Sequence, residues 1–444
     1  MPRTTHTDIN DRVSSYDRLG WSASDLEAML ANGERRLELV AYFGRSEYDA
    51  LARLAQKSVL QRERVLRSSG SDTRTRVWIL PGIMGSHLGR RRGSGDPADI
   101  IWLDPVDIAI GRLYQLRRAP DLAPLVPLGV LMFSYLKLKL LLDAAGFDAR
   151  FFDYDWREDI ATLGLRFAAA IREDGRPASI VAHSLGGLVA RAALHLSDAP
   201  LDVSRVVLLG TPNGGSFAAV QAIRGSYSVV RHIAMLDLLH DAEQLARDVF
   251  ATFVSLYQMM PRHWPAASNN LFDLTTWPAI GPRPHGELLE QASIVDSKLA
   301  PADARFAVIA GDGLDTIVGL KCSNSDFEYQ IAAAGDGTVP LFAALLEGAA
   351  TYVGKVGHSD LPRNDLIGAA VIDILRSGAT TRLSRVETQS AALQSRAQAP
   401  QIKRTLSDAT MRGWPAPKVD WEKLSYEQRR EYLERLNEPW DTPQ

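Results

Sequence analysis

The nine residues SIVAHSLGG, numbers 179–187, carry the strongest fold signal in the sequence. An apolar run ends at Ala182, and a segment with helical spacing starts at Leu185. A strand that turns sharply into a helix around one serine, here Ser184, is the context of a nucleophile elbow. The first glycine of the usual G-x-S-x-G pattern is alanine in this chain. The five-residue pattern by itself is also compatible with an ordinary turn in which the serine caps a helix. The strand–turn–helix context favours a nucleophilic Ser184.

Outward from this stretch, short apolar runs alternate with helix-like segments. The runs lie at 77–80, 150–154, 179–182, 205–209 and 306–310. This alternation predicts an α/β fold with a mostly parallel sheet and helices on both faces. The interval 216–300 breaks the rhythm, because it is mostly helical in pattern and rich in Met, Trp and His. We interpret it as a helical cap inserted into the α/β core.

The composition excludes several classes of protein. Of 444 residues, 46% are hydrophobic and 23% are charged, which is typical of a globular chain. The formal net charge of −3 gives no global basic field, so nucleic acid is not an expected partner. The single cysteine, Cys322, permits neither an internal disulfide nor a cysteine-based zinc site. Without a secretion signal or an apolar run of about 20 residues, the chain is expected to be soluble and cytoplasmic, or peripheral to a membrane.

The expected organisation has three parts. Residues 1–70 form an N-terminal helical extension, in which the pattern at 22–67 predicts two amphipathic helices. The first helix is expected to be capped by Ser22 or Ser24 and to end at Gly44, and the second is expected to be capped by Ser46. Residues 71–380 form the α/β core with its cap at 216–300. Residues 381–444 hold a linker at 388–400 and a terminal helix at 425–437, with Ser425 and Gln428 as a capping box.

A serine hydroxyl is a weak nucleophile, so it needs a base that is oriented by a carboxylate. His358 is the best-placed base, because the pair Gly357-His358 lies in a loop just before the last predicted core helix. The acid is expected between the serine and the histidine in chain order. Asp336 lies 22 residues before His358 between two glycines, and Asp312 directly follows the 306–310 run. We favour Asp336 and keep Asp312 as the alternative.

The negative charge that develops during attack on an ester needs two backbone N–H donors. One is the amide of Leu185, directly after the serine. The other is expected in the loop LPGIMGS, residues 80–86, where glycines on both sides let the amides turn inward. Ile83 is the first choice for this donor and Met84 is the second.

Five blocks of the sequence together resemble the lecithin:cholesterol acyltransferase family. They occur in the family's order within residues 75–375 and read PGIMGS at 81–86, YDWR at 154–157, AHSLGG at 182–187, GTPNGGS at 210–216 and GDGTVP at 335–340. The resemblance implies an α/β-hydrolase fold, with Ser184 as nucleophile, Asp336 as acid, His358 as base, and the amides of Ile83 and Leu185 as oxyanion donors.

Three features of the sequence bear on how far the resemblance to that family goes. Secreted animal members close loops with disulfides, which a single cysteine forbids. The loop after Met84 holds the basic run Arg90–Arg92 and then Trp102, where the resemblance implies a membrane-binding or substrate-gating loop. The extension 22–67 and the tail 381–444 lie outside the resemblance and are expected docking arms for a protein partner.

We therefore expect a serine acyl hydrolase of the phospholipase A or lipase type, which acts on lipid esters through an acyl-enzyme. Trp102, Tyr257, Met259 and Met260 are the expected substrate-binding residues, although apolar spacing in a helix also fits ordinary packing. No metal or organic cofactor is implied, because a triad supplies the chemistry by itself. Two alternatives stay open: an acyltransferase to an alcohol acceptor, and a non-catalytic binding module on a hydrolase scaffold.

Overall fold

The computed structural model describes residues 21–92, 98–262, 270–323, 325–386 and 400–436. The first twenty residues of the expected N-terminal extension, most of the expected linker and the last eight residues lie outside these ranges. Within the described ranges, no helix combines the length and the apolar character that crossing a membrane requires.

The strands of the described residues fall into one large sheet and two small ones. In chain order they are β1 (Arg76–Leu80), β2 (Ser86–Arg90), β3 (Asp99–Trp102), β4 (Val126–Val130), β5 (Asp148–Phe151), β6 (Ala178–His183), β7 (Val203–Leu209), β8 (Phe306–Gly311), β9 (Asp315–Cys322), β10 (Phe327–Ala333), β11 (Ala350–Gly354), β12 (Ser384–Val386) and β13 (Arg404–Ser407). The large sheet has the order β12-β11-β8-β7-β6-β1-β5. All its pairs are parallel except the edge pair of β11 and β12.

Helices flank this sheet and build the two extensions and the cap. In chain order they are α1 (Ala23–Asn32), α2 (Arg36–Phe43), α3 (Arg45–Ser69), α4 (Pro105–Ala109), α5 (Met132–Ala144), α6 (Ile160–Asp174), α7 (Leu185–Leu196), α8 (Phe217–Arg224), α9 (Ser228–Leu236), α10 (Ala242–Asp248), α11 (Val254–Gln258), α12 (Gly286–Ala292), α13 (Leu341–Ala344), α14 (Asp365–Ser377), α15 (Asp408–Gly413) and α16 (Tyr426–Arg435). Helices α8 to α12 occupy the interval 216–300, so the predicted helical character of that insertion is confirmed.

Successive side chains along each strand are buried on opposite faces of the sheet, because side chains alternate with a period of two in a strand. Ile79 and Val181 belong to a core that also contains side chains of α5 and α14. Leu80 and Ala182, their next neighbours, belong to a second core with α6 and α7. The sheet is therefore covered on both faces, which is why its strands read as continuous apolar runs instead of alternating ones.

The N-terminal extension differs from the prediction of two helices, because three are present. Ser22 caps α1 with a complete capping box, as one of the two expected residues. The helix ends at Gly33, which adopts a left-handed φ of 72° and donates its N–H to the carbonyl of Met29. A glycine in this conformation is a common helix stop, so the segment breaks there before Gly44 is reached. Ser46 is not a cap, since α3 already begins at Arg45.

The two small sheets flank the sites that the sequence singled out. Strands β3, β2 and β4 form an antiparallel sheet directly after the 80–86 loop. In this sheet Arg90 and Arg92 both face Asp99, which balances part of the basic run. The second small sheet joins β13 to β10 and β9, and so attaches the C-terminal segment to the core. The terminal helix α16 has the predicted capping box of Ser425 and Gln428.

Candidate active site

Ser184 lies at the point where β6 ends and α7 begins, near the middle of the large sheet. Its backbone has φ 52° and ψ −124°, a conformation that L-residues rarely adopt. Such a conformation costs on the order of 1–3 kcal/mol, and it persists only where the surroundings hold it. Here the Ser184 N–H donates to the carbonyl of Leu209, and the Ser184 carbonyl accepts from Gly187, both at 2.9 Å.

The small residues around Ser184 are required by close backbone contacts. A Cβ atom on Gly186 would lie 2.5 Å from the carbonyl oxygen of Pro81, and one on Gly187 would overlap the hydroxyl of Thr211. A Cβ on Gly82 would lie 2.9 Å from the Cβ of Ser184. The glycines therefore allow the 80–86 loop to pack directly against the serine, which the motif alone suggested but did not measure.

Ser184, His358 and Asp336 form a continuous chain of hydrogen bonds. The Nε2 atom of His358 lies 2.9 Å from the Oγ atom of Ser184. Its Nδ1 atom lies 2.7 Å from Oδ2 of Asp336. The His358 backbone N–H also donates to the Asp336 carbonyl at 2.9 Å, so the two loops are joined twice. In this arrangement the imidazole can accept a proton from the serine while the carboxylate holds the other ring nitrogen.

Of the two candidate acids, Asp336 makes the hydrogen bond to the imidazole of His358. Its other oxygen, Oδ1, accepts the backbone N–H groups of Thr338 and Val339 at 3.0 and 2.7 Å. The carboxylate is thus buried and fully engaged, with only 3% of the residue exposed. Asp312 lies in the preceding turn, where its Oδ1 accepts the N–H of its neighbour Gly313.

The 82–85 turn brings two expected oxyanion donors beside the serine. The Gly85 N–H donates to the Gly82 carbonyl at 3.1 Å, and Met84 has a left-handed φ of 61°. Ile83 and Met84 line the same cavity as Ser184. Leu185 is the first residue of α7, where backbone N–H groups have no partner within the helix. The Leu185 amide therefore lies at the positive end of a helix, beside the hydroxyl-bearing residue Ser184.

Ser184 opens into a cavity of about 110 Å³, which we call the serine cavity. Of the expected substrate-binding residues, the structure brings Trp102 and Met259 into its wall. Tyr257 and Met260 are fully buried but do not line it. The Tyr257 hydroxyl donates to the carbonyl of Ala251 and accepts the N–H of His285, so this side chain packs inside the cap.

Sequence reasoning missed other residues of the cavity wall. They are Phe133 and Tyr135 of α5, Tyr227 before α9, and Leu433 and Leu436 at the C-terminal helix. Burial raises the pKa of Tyr227 to about 12, so its hydroxyl stays protonated at neutral pH. The only sequence signal for Phe133 and Tyr135 was the helical period of α5. Periodicity predicts a helix, but it does not identify which residues the helix contacts.

Among the described residues, no group of three or more His, Cys, Asp or Glu side chains is arranged to hold a metal ion. The serine cavity itself is lined mainly by apolar side chains. Its polar side chains are those of Ser134, Tyr135, His183, Ser184, Ser216, Tyr227, Thr338, His358 and Ser359. This donor set fits acyl-group chemistry at the serine.

The sequence matches the model of the alpha/beta hydrolase family over residues 112–366, which is 255 of the 444 residues. The match contains Ser184, Asp336 and His358 but begins after the 80–86 loop. No curated protein sequence matches the chain significantly.

The backbone is also similar to those of several solved structures. The lipase BlEst2 of Bacillus licheniformis in its propeptide form has 16% identity and a TM-score of 0.38, over 72% of this chain and 53% of that one. The Tle4–Tli4 complex has 14% identity and a TM-score of 0.43, over 70% and 100%. Phospholipase PlaB of Legionella pneumophila has 13% identity and a TM-score of 0.30, over 68% and 57%. The chain thus spans about half the length of the first of these.

Proposed function

Because this chain belongs to the alpha/beta hydrolase family, we propose that it is a serine hydrolase of acyl esters, with lipid esters as its substrates. The observation that carries the proposal is the hydrogen-bonded chain from Ser184 through His358 to Asp336, built on a strained serine between a strand and a helix. A non-catalytic scaffold would have no need to hold the serine in this conformation, so we place this alternative second.

The proposed reaction follows from the proton positions that the chain of hydrogen bonds permits. Oγ of Ser184 attacks the ester carbonyl carbon while its proton moves to Nε2 of His358, and Asp336 accepts the Nδ1–H of the resulting imidazolium. The former carbonyl oxygen takes the negative charge and is bound by the N–H groups of Ile83 and Leu185. Each such donor contributes about 10²–10³-fold in related enzymes.

The tetrahedral species then collapses to an acyl-enzyme. The bond to the leaving alkoxide breaks, and the Nε2 proton passes to this oxygen, so a neutral alcohol departs. Water attacks the acyl-serine with His358 again as base, and a carboxylic acid leaves while the Ser184 hydroxyl is restored. An alcohol in place of water would make the same site an acyltransferase, an alternative that the motifs do not separate from hydrolysis.

The apolar wall of the serine cavity supports an acyl chain as the part of the substrate that binds there. Trp102 and Met259 supply large apolar surface, and each buried methylene contributes about 0.8 kcal/mol to binding. At about 110 Å³, however, the cavity is smaller than the roughly 300–1,000 Å³ of typical ligand sites. A long acyl chain therefore requires part of the wall to move.

The test combines covalent labelling with product analysis. We expect a fluorophosphonate probe to label the protein, and Ser184→Ala to lose both the label and about 10⁶-fold in ester turnover. Ser179→Ala is the matched control, since this serine lies on the same strand with its hydroxyl bonded to Ser204. Incubation with phospholipids, triglycerides and an alcohol, with products resolved by mass, separates hydrolysis from acyl transfer. Labelling that persists in Ser184→Ala would refute the assignment.

A further inference from the structure

We propose that Tyr135 and His183 are positioning residues that link the oxyanion turn to the loop of the catalytic base. This rests on the proposed function, because it assigns roles relative to Ser184 and His358. Neither residue is among those that the sequence predicts to act in the reaction. Both side chains are buried, and both line the serine cavity.

Three hydrogen bonds form one chain across the site. The backbone N–H of Gly82 donates to the Tyr135 hydroxyl at 2.8 Å. The same hydroxyl lies 2.8 Å from Nδ1 of His183. Nε2 of His183 lies 3.0 Å from the backbone carbonyl oxygen of His358. These hydrogen bonds therefore begin at the oxyanion turn, pass through His183, the residue before the serine, and end at the backbone of the base.

The partners determine where each proton lies. A carbonyl oxygen only accepts, so Nε2 of His183 must carry the hydrogen that reaches His358. Burial, aided by the nearby His358, holds the pKa of His183 well below its usual range, so the ring is neutral and Nδ1 has no proton. The Tyr135 hydroxyl must then donate to Nδ1, and burial keeps the pKa of this hydroxyl above its usual value. Every donor in the chain meets an acceptor.

This chain of hydrogen bonds holds the peptide directly before the one that carries the expected oxyanion donor. The Gly82 N–H is bound by Tyr135, and the Gly82 carbonyl is bound by the Gly85 N–H at 3.1 Å. A trans peptide is planar, with the next N–H pointing opposite to the carbonyl. The Ile83 N–H is therefore directed away from Gly85 and cannot rotate without breaking the bond between Gly85 and the Gly82 carbonyl, while Tyr135 holds the N–H of the preceding peptide.

The same chain fixes the backbone that carries the base. His358 donates its N–H to the Asp336 carbonyl at 2.9 Å and accepts from His183 at its own carbonyl. Its imidazole is thus attached to a residue bound on both sides. Because a misplacement of about 1 Å can cost about 10²-fold in rate, we expect the loss of this support to lower kcat more than substrate binding.

The experiment compares variants that remove single bonds. Tyr135→Phe keeps the ring but removes the hydroxyl, and we expect kcat on a short-chain p-nitrophenyl ester to fall about 10–100-fold with KM within twofold. Tyr352→Phe is the matched control, because this tyrosine is fully buried and its hydroxyl has no hydrogen-bond partner among the described residues. It should retain wild-type kinetics.

Two replacements of His183 dissect the chain further. An asparagine amide lies near the position of Nδ1 and retains an acceptor for Tyr135, whereas a glutamine amide reaches the position of Nε2 and retains a donor for His358. We therefore expect His183→Gln to keep more activity than His183→Asn. Combining Tyr135→Phe with His183→Asn should cost less than the two separate losses together, since both break one chain.

The outcomes separate this proposal from the proposed function. Fluorophosphonate titration gives the fraction of competent sites, so rates are compared per labelled enzyme. Unchanged kcat in Tyr135→Phe, or equal activity of the two His183 variants, would overturn the positioning role while Ser184 keeps its label. A wild-type protein without label or turnover on any acyl ester would instead overturn the proposed function.

We also infer, from a separate observation, that the C-terminal helix α16 limits the length of the acyl chain. Leu433 and Leu436 are 1% and 4% exposed, and both line the serine cavity. They come from a tail that lies far from the core in sequence. With the cavity at about 110 Å³, their side chains occupy space next to the serine that a longer acyl chain would need.

Polar contacts attach this helix to the cap and to the N-terminal extension. The Tyr432 hydroxyl donates to the His232 carbonyl at 2.6 Å, and the Arg430 guanidinium lies against Gly44 of the N-terminal extension. The remaining face is polar, with Glu427, Gln428 and Glu431 exposed. A helix attached mainly by its apolar side can be displaced, or trimmed by mutation, without disturbing the central sheet.

The test uses Leu433→Ala/Leu436→Ala in the full chain, with Leu30→Ala as control because Leu30 is equally buried in α1 but does not line the cavity. We expect the ratio of kcat/KM for decanoyl over butyryl esters to rise by about fourfold for each added methylene that the enlarged cavity accepts. An unchanged ratio, in an enzyme that still labels at Ser184, would overturn this role for α16 and leave the proposed function untouched.

Discussion

Replacing Asp336 by asparagine should disable His358 by forcing the wrong tautomer. The carboxylate accepts three hydrogen bonds, from Nδ1 of His358 and from the N–H groups of Thr338 and Val339. An amide has one acceptor oxygen and one donor nitrogen. If its oxygen stays with the two backbone N–H groups, its NH₂ faces Nδ1. His358 then carries its proton on Nε2 and cannot accept one from Ser184.

The alternative orientation of the amide has a cost that follows from these contacts. Turning the oxygen towards His358 would leave the buried N–H groups of Thr338 and Val339 facing a donor. Each unsatisfied buried group costs about 1–3 kcal/mol, so this orientation is disfavoured by about 2–6 kcal/mol. At about 1.4 kcal/mol per factor of ten, the working tautomer is populated about 30-fold to 10⁴-fold less than in the wild type.

The assay is steady-state hydrolysis of a p-nitrophenyl ester at neutral pH, with fluorophosphonate labelling to count competent sites. We expect Asp336→Asn to lower kcat/KM within the range given above, and Asp312→Asn to change it less than about threefold. Thermal melting should show that both variants fold. A loss of less than tenfold in Asp336→Asn, or a larger loss in Asp312→Asn, would refute this reasoning and assign the acid to the earlier turn.

Three further predictions concern stability and specificity. Asp408 is fully buried against Arg224 at 2.9 Å, so Asp408→Ala should lower the free energy of unfolding in urea by about 3–5 kcal/mol; a loss below 1 kcal/mol would contradict this. Met259→Ala should reduce turnover of decanoyl esters more than of acetyl esters, whereas Met260→Ala should affect both alike, because only Met259 lines the serine cavity; equal selectivity in the two variants would argue against an acyl site there. Burial lowers the pKa of His87 to about 4, so the unfolded chain binds a proton at pH values where the folded chain does not. The free energy of unfolding should therefore decrease as the pH falls from about 6.5 to about 4, with a smaller slope in His87→Gln, and identical slopes would exclude this contribution.

Local chemistry in the sequence was enough to predict the architecture around the serine. Apolar runs at 77–80, 179–182 and 205–209 became buried parallel strands, because a sheet covered on both faces has no solvent side to mark with polar residues. Since parallel strands end at one edge of the sheet, loops that follow them in sequence meet in space. This is why Ser184, after β6, and His358, after β11, could be named together, whereas Asp336 follows β10 of a small antiparallel sheet and was named from the chain order and its flanking glycines.

Helix boundaries were predictable only where residues close in sequence determine them. The capping box of Ser425 and Gln428 is a contact over three residues, and it formed as expected. Gly33 was overlooked as a stop because a glycine inside a periodic pattern does not reveal its φ.

The sequence by itself determined the strand–turn–helix at Ser184, the order of the candidate residues and the helical nature of the cap, because short-range sterics and periodicity govern each of these. Only the tertiary structure placed Asp336, and not Asp312, in hydrogen-bond contact with the His358 imidazole. It buried Tyr257 inside the cap and brought Leu433 to the serine cavity. It also joined Tyr135 to a histidine 48 residues away. Amphipathic spacing shows that a side chain is buried, but its partner depends on the relative position of whole elements, which is set by the packing of the entire chain.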